Sequence, residues 1–109
     1  MENFLKKKRY SSFKGRFIVL ECKKKVNQDT YYGTWRGIVL REVNKKIDDI
    51  FYCMMFNDNA KKFYRPGDVV LADLTSNNYT PNGDPGFSDF LINNIKFVNK
   101  LSWMKVRWL

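Results

Sequence analysis

The sequence predicts an all-β domain of five short strands, and three observations predict it. Apolar runs rich in β-branched and aromatic residues recur at strand length, each too short to favour a helix. Polar, glycine- and proline-bearing segments separate them. The chain has 109 residues, 44% hydrophobic and 17% aromatic, which is enough apolar surface for one core and one domain.

The first strand is FKGRFIVLECK at 13 to 23, followed by the polar, turn-rich loop KKKVNQDTYYG that closes on Gly33. TWRGIVLRE at 34 to 42 is the second strand, NKKID the next loop, and DIFYCMMF at 49 to 56 the third strand. In the segment that follows, Asn57, Asp58 or Asn59 is placed to cap one helical turn through Ala60, Lys61, Lys62 and Phe63, with Phe63 plugging the core. Pro66-Gly67 then forces a turn into the fourth strand, DVVLADLTS at 68 to 76. NNYTPNGDPGF at 77 to 87 is a long loop before the fifth strand, SDFLINNIKFV at 88 to 98. Five strands with a short helix between strands three and four are the layout of the OB-fold, a partly open Greek-key barrel. That fold binds single strands across strands two and three and with the loops joining strands one to two and four to five. An SH3-like barrel or an incomplete sandwich also accommodates five short strands, but neither predicts the helix at that connection. The chain thus divides into a basic arm at 1 to 12, the OB-fold domain at 13 to 98, and an apolar and basic segment at 99 to 109.

Charge narrows the partner class. Twenty Lys and Arg against eleven Asp and Glu leave a net charge of +9. Such a potential attracts polyanions over a Debye length of about 8 Å, which puts nucleic acid first. There is no histidine, and Cys22 and Cys53 stand alone within apolar runs, so they read as small core residues in a reducing compartment and no metal or cofactor is expected. No stretch reaches the about 18 apolar residues of a membrane span, and a soluble, cytoplasmic protein is expected. An enzyme would have to draw on Asp48, Asp49, Asp84 and Asp89, which fall at a strand entrance and in turns, habitats where aspartate is ordinary. A binding protein is the expectation.

Phe51-Tyr52-Cys53-Met54-Met55-Phe56, Ala60, Gly67-Asp68-Val69-Val70, the loop around Tyr79 and Asp89-Phe90-Leu91-Ile92 resemble, in spacing and residue type, the second half of bacterial and phage single-stranded DNA-binding proteins and their primosomal relatives. The resemblance covers about residues 13 to 98 and is stronger after residue 48. It implies that Tyr52 and Phe56 lie on the ligand side, Phe56 at a stacking position, and that Tyr79 stands where the family carries a stacking tryptophan. The chain departs from the family in its first strand, and at its end, where WMKVRWL replaces an acidic tail with an aromatic tip.

Alternation in the third strand sets Phe51, Cys53 and Met55 on one face and Ile50, Tyr52, Met54 and Phe56 on the other, so both faces are apolar. The face away from the core must then be covered by another segment or open for bases to stack on. Phe56 is either that stacking residue or a cap on the barrel beneath the helix. In the second strand Trp35, Gly37, Val39 and Arg41 oppose Thr34, Arg36, Ile38 and Leu40. Tyr32, Trp35 and Arg36 end a basic loop, and aromatics beside cations suit sequence-tolerant binding, rings for bases and charges for phosphates; the other reading of Trp35 is the floor of the barrel. Lys23, Lys24 and Lys25 are the first candidates for phosphate contact, and Tyr79 is the candidate stacking residue of the long loop. In the tail, Trp103, Met104, Val106 and Trp108 suit a protein partner or self-association, or a segment packed on the barrel's open edge.

The function expected is binding of single-stranded DNA, with RNA possible, at little sequence preference, by an accessory factor in replication or recombination of the kind found on phages and mobile elements. The alternative is a protein-binding accessory subunit of a polymerase, primase or helicase whose own DNA contact is secondary.

Overall fold

A computed structural model describes residues 12–29, 33–43, 50–76 and 89–101. Residues 1 to 11 of the basic arm, the loop at 77 to 87 with Tyr79, Tyr32, and Trp103, Met104, Val106 and Trp108 of the tail lie outside the described residues. The described chain is mostly β, with β1 (Phe13–Cys22), β2 (Val26–Asp29), β3 (Gly33–Glu42), β4 (Ile50–Phe56), β5 (Asp68–Ser76) and β6 (Phe90–Lys100), and one helical turn, α1 (Asn57–Ala60). The five expected strands are present at nearly the expected bounds. The added strand, β2, falls in what reads as a polar loop. There Val26 pairs with Trp35 and Asp29 with Gly33, so the loop runs back along β3, and Gly33 at φ 70 takes the left-handed backbone that glycine adopts without strain.

The six strands form a mixed sheet of order β1-β5-β6-β4-β3-β2, and an additional pairing of β1 with β3 closes five of them into a ring of hydrogen-bonded ladders. Strand β1 serves two neighbours. Phe13 to Ile18 pair with β5, and Phe17 to Cys22 with β3, where the register shifts between Val19 and Glu21. Such a shift bends a strand and lets it pass from one partner to the next. All ladders of the ring are antiparallel except β4–β6, where Cys53 and Met54 lie beside Phe90 and Leu91 in parallel.

The ring encloses the core. Phe51 is fully buried and sits at the centre of an aromatic group, with ring centroids 5.2 Å from Phe17, 5.2 Å from Phe90 and 5.5 Å from Phe13. Edge-to-face and offset pairs at these separations add to the burial of the rings themselves. Val19, Ile38, Leu40, Met55, Val70, Leu74 and Ile92 complete the interior. Cys53 is buried among them, and burial, reinforced by the Asp89 charge, pushes its thiol well above the ordinary value, which keeps it a protonated core residue.

Two features of the helical turn differ from expectation. Its N-cap is Phe56, extended at φ −124 and ψ 153, with no side-chain cap bond, because Asn57 itself takes a left-handed backbone at φ 53. Asparagine tolerates that region better than most residues. Asp58 and Asn59 are turned to other partners: Asp58 pairs with Lys61 at 3.4 Å, and Asn59 Nδ2 donates to the Asn93 carbonyl at 3.2 Å. The residues that plug the core are Ala60 and Tyr64, not Phe63, which is 58% exposed. The helix stops at Ala60, so the chain beyond it no longer follows helical spacing and Tyr64 turns inward while Phe63 turns out. The exit is held by Gly67, whose N–H donates to the Val19 carbonyl, and by Asp68, whose Oδ2 accepts from the Arg65 N–H at 2.9 Å.

Candidate nucleic-acid interface

The register of β3 on β4 builds the site. Trp35 lies opposite Phe56, Gly37 opposite Met54 and Val39 opposite Tyr52, and residues directly opposed on an antiparallel pair share a face. That face points away from the aromatic core. It is neither fully open nor fully closed: Tyr52 is 50% exposed, Trp35 and Phe56 are half-buried, and Val39 and Met54 are buried. Next to Trp35 along the strand, Gly37 leaves room for the aliphatic stem of Lys23, whose Cδ would stand 3.2 Å from a Cβ at that position. The Lys23 N–H donates to the Gly37 carbonyl at 2.8 Å, which fixes the chain there as it leaves β1. A cation is thereby laid across the strand beside an aromatic pair. Lys24 is exposed and Lys25 half-buried immediately beyond it. Glu21 pairs with Val39 from the other side, so the acidic end of the face lies at Tyr52 and the basic end at Trp35.

Arg36 behaves differently from its neighbour Trp35. It points to the other face, is buried at 7% exposure, and its guanidinium is engaged within the protein. Nε donates to the Ala60 carbonyl at 2.9 Å and Nη1 to the Lys23 carbonyl at 3.0 Å. The first bond satisfies a carbonyl that the end of the helical turn would otherwise leave without a partner. The same guanidinium lies 5.2 Å from the centre of the Phe63 ring, within the range of a cation–π contact. Arg36 therefore organises the site by tying the helical turn, the Lys23 segment and an exposed ring to one strand. Lys61 and Lys62, on the same connection, have partners within the protein: Lys61 pairs with Asp58, and Lys62 Nζ donates to the Ile95 carbonyl at 3.2 Å.

Of the residues singled out from sequence, the structure brings together Lys23, Lys24, Lys25, Trp35, Tyr52 and Phe56, with Arg36 behind them. Phe63 and Gly37 were not singled out. A glycine inside a strand marks a close approach of other atoms and is the signal for the seat of Lys23. Phe63 carries no such signal, since its exposure depends on where the helical turn ends. The chain matches no family model, no curated protein and no solved structure, so the site stands on its own geometry.

Proposed function

We propose that the chain is an OB-fold protein that binds single-stranded DNA with little sequence preference, as an accessory factor in DNA replication or recombination. The observation that carries the reading is the Trp35–Phe56 pair with Lys23 laid across Gly37 on the same face. Half-open rings offer stacking surface to unpaired bases of any kind, and an adjacent run of lysines neutralises the phosphates between them. Phe63, backed by Arg36, adds a ring around the end of the strands. Five strands in a closed ring of ladders, with the helical turn between the third and fourth of them, support the OB-fold assignment. In that layout β3 and β4 are the second and third barrel strands, the pair across which such folds bind single strands. Phosphate contact at Lys23, Lys24 and Lys25 would give a log–log salt slope of roughly 0.7 per phosphate.

Fluorescence-anisotropy titration with single-stranded DNA, duplex DNA and RNA at several salt concentrations tests the reading. Single strands are expected to bind more tightly than duplex of equal length, and Trp35→Ala to weaken them by about 1–3 kcal/mol with the fold retained. Equal or tighter duplex binding would sink the stacking model. A Trp35→Ala chain that no longer folds would assign Trp35 to the core. No binding of any nucleic acid at low salt would leave attachment to a polymerase, primase or helicase as the function, with nucleic-acid contact absent from this chain.

A further inference from the structure

On the opposite arc of the ring, a groove of about 610 Å³ runs over the outer side of β1, β5 and β6. Two cross-strand rows line it: Lys14, Asp73 and Asn94 lie abreast in one, and Arg16, Leu71 and Lys96 in the other. Lys14, Arg16 and Lys96 are all exposed, and Asp73 is the one carboxylate among them, so the groove is cationic. Its charges are spread out rather than gathered at a point. Lys14 and Arg16 stand two residues apart on one strand, about 7 Å, and Lys96 stands two strands from Arg16, about 10 Å. Leu71, 43% exposed, lies between Arg16 and Lys96. Separated cations with an apolar step between them suit a chain of phosphates, since a positively charged groove tracks a nucleic-acid backbone from one phosphate to the next.

The helical turn joins this groove to the Trp35 face. β4 ends at Phe56, whereas β6, its parallel neighbour, runs on to Lys100. The turn takes the place that β4 vacates beside β6, fastened there by Asn59 Nδ2 on the Asn93 carbonyl and by Lys62 Nζ on the Ile95 carbonyl. One side of the turn thus meets the groove wall formed by Asn94, Ile95 and Lys96. The other side meets the strand of Trp35, where Arg36 holds the Ala60 carbonyl and backs the exposed ring of Phe63. An ammonium has three donors, so Lys62 uses one on Ile95 and retains two for a phosphate. We propose that a single strand held at Trp35 and Phe56 continues over this turn, past Phe63 and Lys62, and that Lys14, Arg16 and Lys96 take its next phosphates. The inference rests on the single-strand reading of the Trp35 face and extends the bound strand from one arc of the ring to the other. Leu71 gives the strand apolar contact there without selecting a base.

The test is an anisotropy titration of the 109-residue chain with oligothymidylates of about 5 and about 16 nucleotides, close to the two ends of the range bound by one such fold, at several salt concentrations. The short strand fills the Trp35 face alone, and the long one reaches the groove, so the long strand should show the steeper salt dependence. Arg16→Gln combined with Lys96→Gln should lower the log–log slope of the long strand by about 1.4, two phosphates at roughly 0.7 each. The same variant should leave the affinity of the short strand and the urea midpoint unchanged, since both side chains are exposed. Trp35→Ala should weaken both lengths. Unchanged binding of the long strand by the double variant would overturn the inference while leaving the Trp35 face standing, and would pass the groove to another polyanion such as an acidic protein segment. Equal losses for the two lengths would also overturn it, as the mark of general charge rather than of a path. Binding of neither length by the unaltered chain would overturn the single-strand reading and this inference together.

Discussion

Along β1, β5 and β6 the outward positions carry Lys14, Arg16, Leu71, Asp73, Asn94 and Lys96, whereas those of β3 and β4 carry Trp35, Gly37, Val39, Tyr52, Met54 and Phe56. Inward, both arcs contribute to one interior, Phe17 and Phe90 from the first and Phe51 and Ile38 from the second. On the polar arc Lys14, Arg16, Leu71 and Asp73 alternate with inward neighbours as half-buried strands should, and the period fails only in β6, where a register shift puts Ile92 and Ile95, three apart, both inside and leaves Phe97 outside. On the apolar arc both faces avoid water, and alternation names two sets without saying which is the core. Only closure of the ring decides that Phe51, Cys53 and Met55 turn inward and that Tyr52 is left half in solvent. A two-sided apolar strand is where a binding face and a core are hardest to tell apart, and here the candidate site lies on such strands.

Adjacent residues on β4 give the sharpest way to break this contrast. Phe51→Ala should cost about 3–5 kcal/mol, since a fully buried ring in contact with three others leaves a cavity the site cannot refill. Tyr52→Ala, one position along, should cost less than about 1 kcal/mol. Urea midpoints compare them, and equal losses would mean that both faces of β4 are core.

Arg36→Met comes next, with an expected loss of about 2 kcal/mol in the same assay, from the carbonyls of Ala60 and Lys23 left without their charged donor. Lys24→Ser, on the exposed segment beside it, should leave the midpoint unchanged and flatten only the salt dependence of oligonucleotide binding. An unchanged midpoint in Arg36→Met would remove the organising role assigned to that side chain.

The inward placement of Cys53 carries a pH signature. The thiol is held protonated in the folded chain above its ordinary value of 9.0, so between that value and the raised one the folded state binds more protons than the unfolded state. Stability should be level below about pH 9 and fall above it, by at most about 1.4 kcal/mol per pH unit for this one group. Tyr64, raised from 10.0 by burial first and then by Cys22 and Asp68, adds to the decline at higher pH. Urea midpoints of Cys53→Ala against pH should show a shallower fall beginning later. An unaltered profile would place the thiol in solvent.

The smallest effect belongs to Gly37→Ala. Its new Cβ meets the flexible stem of Lys23 at 3.2 Å, so stability should change by less than about 1 kcal/mol while the lysine is displaced. Weaker oligonucleotide binding at unchanged stability is the expected result. Unchanged affinity would detach Lys23 from the site.

The strand at 68 to 76 was legible to the residue, and those at 13 to 23, 34 to 42 and 49 to 56 to within about one, because β-branched and aromatic runs between turn formers leave the backbone few other choices. β2 was not legible. VNQD has little strand preference of its own and becomes a strand because β3 offers it an edge. Arg36 and Phe63 show the same limit at the site. A basic residue after Trp35 reads as a phosphate contact, and an apolar residue after a lysine pair reads as core. In the folded chain the arginine is buried against two carbonyls and the phenylalanine lies outside.

By itself, then, the sequence determined the β class, the bounds of four of the six strands, a helical turn at one connection and the positive charge, all of which follow from local preference and composition. The tertiary structure decided which apolar face is interior, where Lys23 lies, and which cations are engaged within the protein, since each depends on ladders between residues far apart in the chain. Alternation is symmetric between the two sides of a strand, and only closing the ring makes one side an inside.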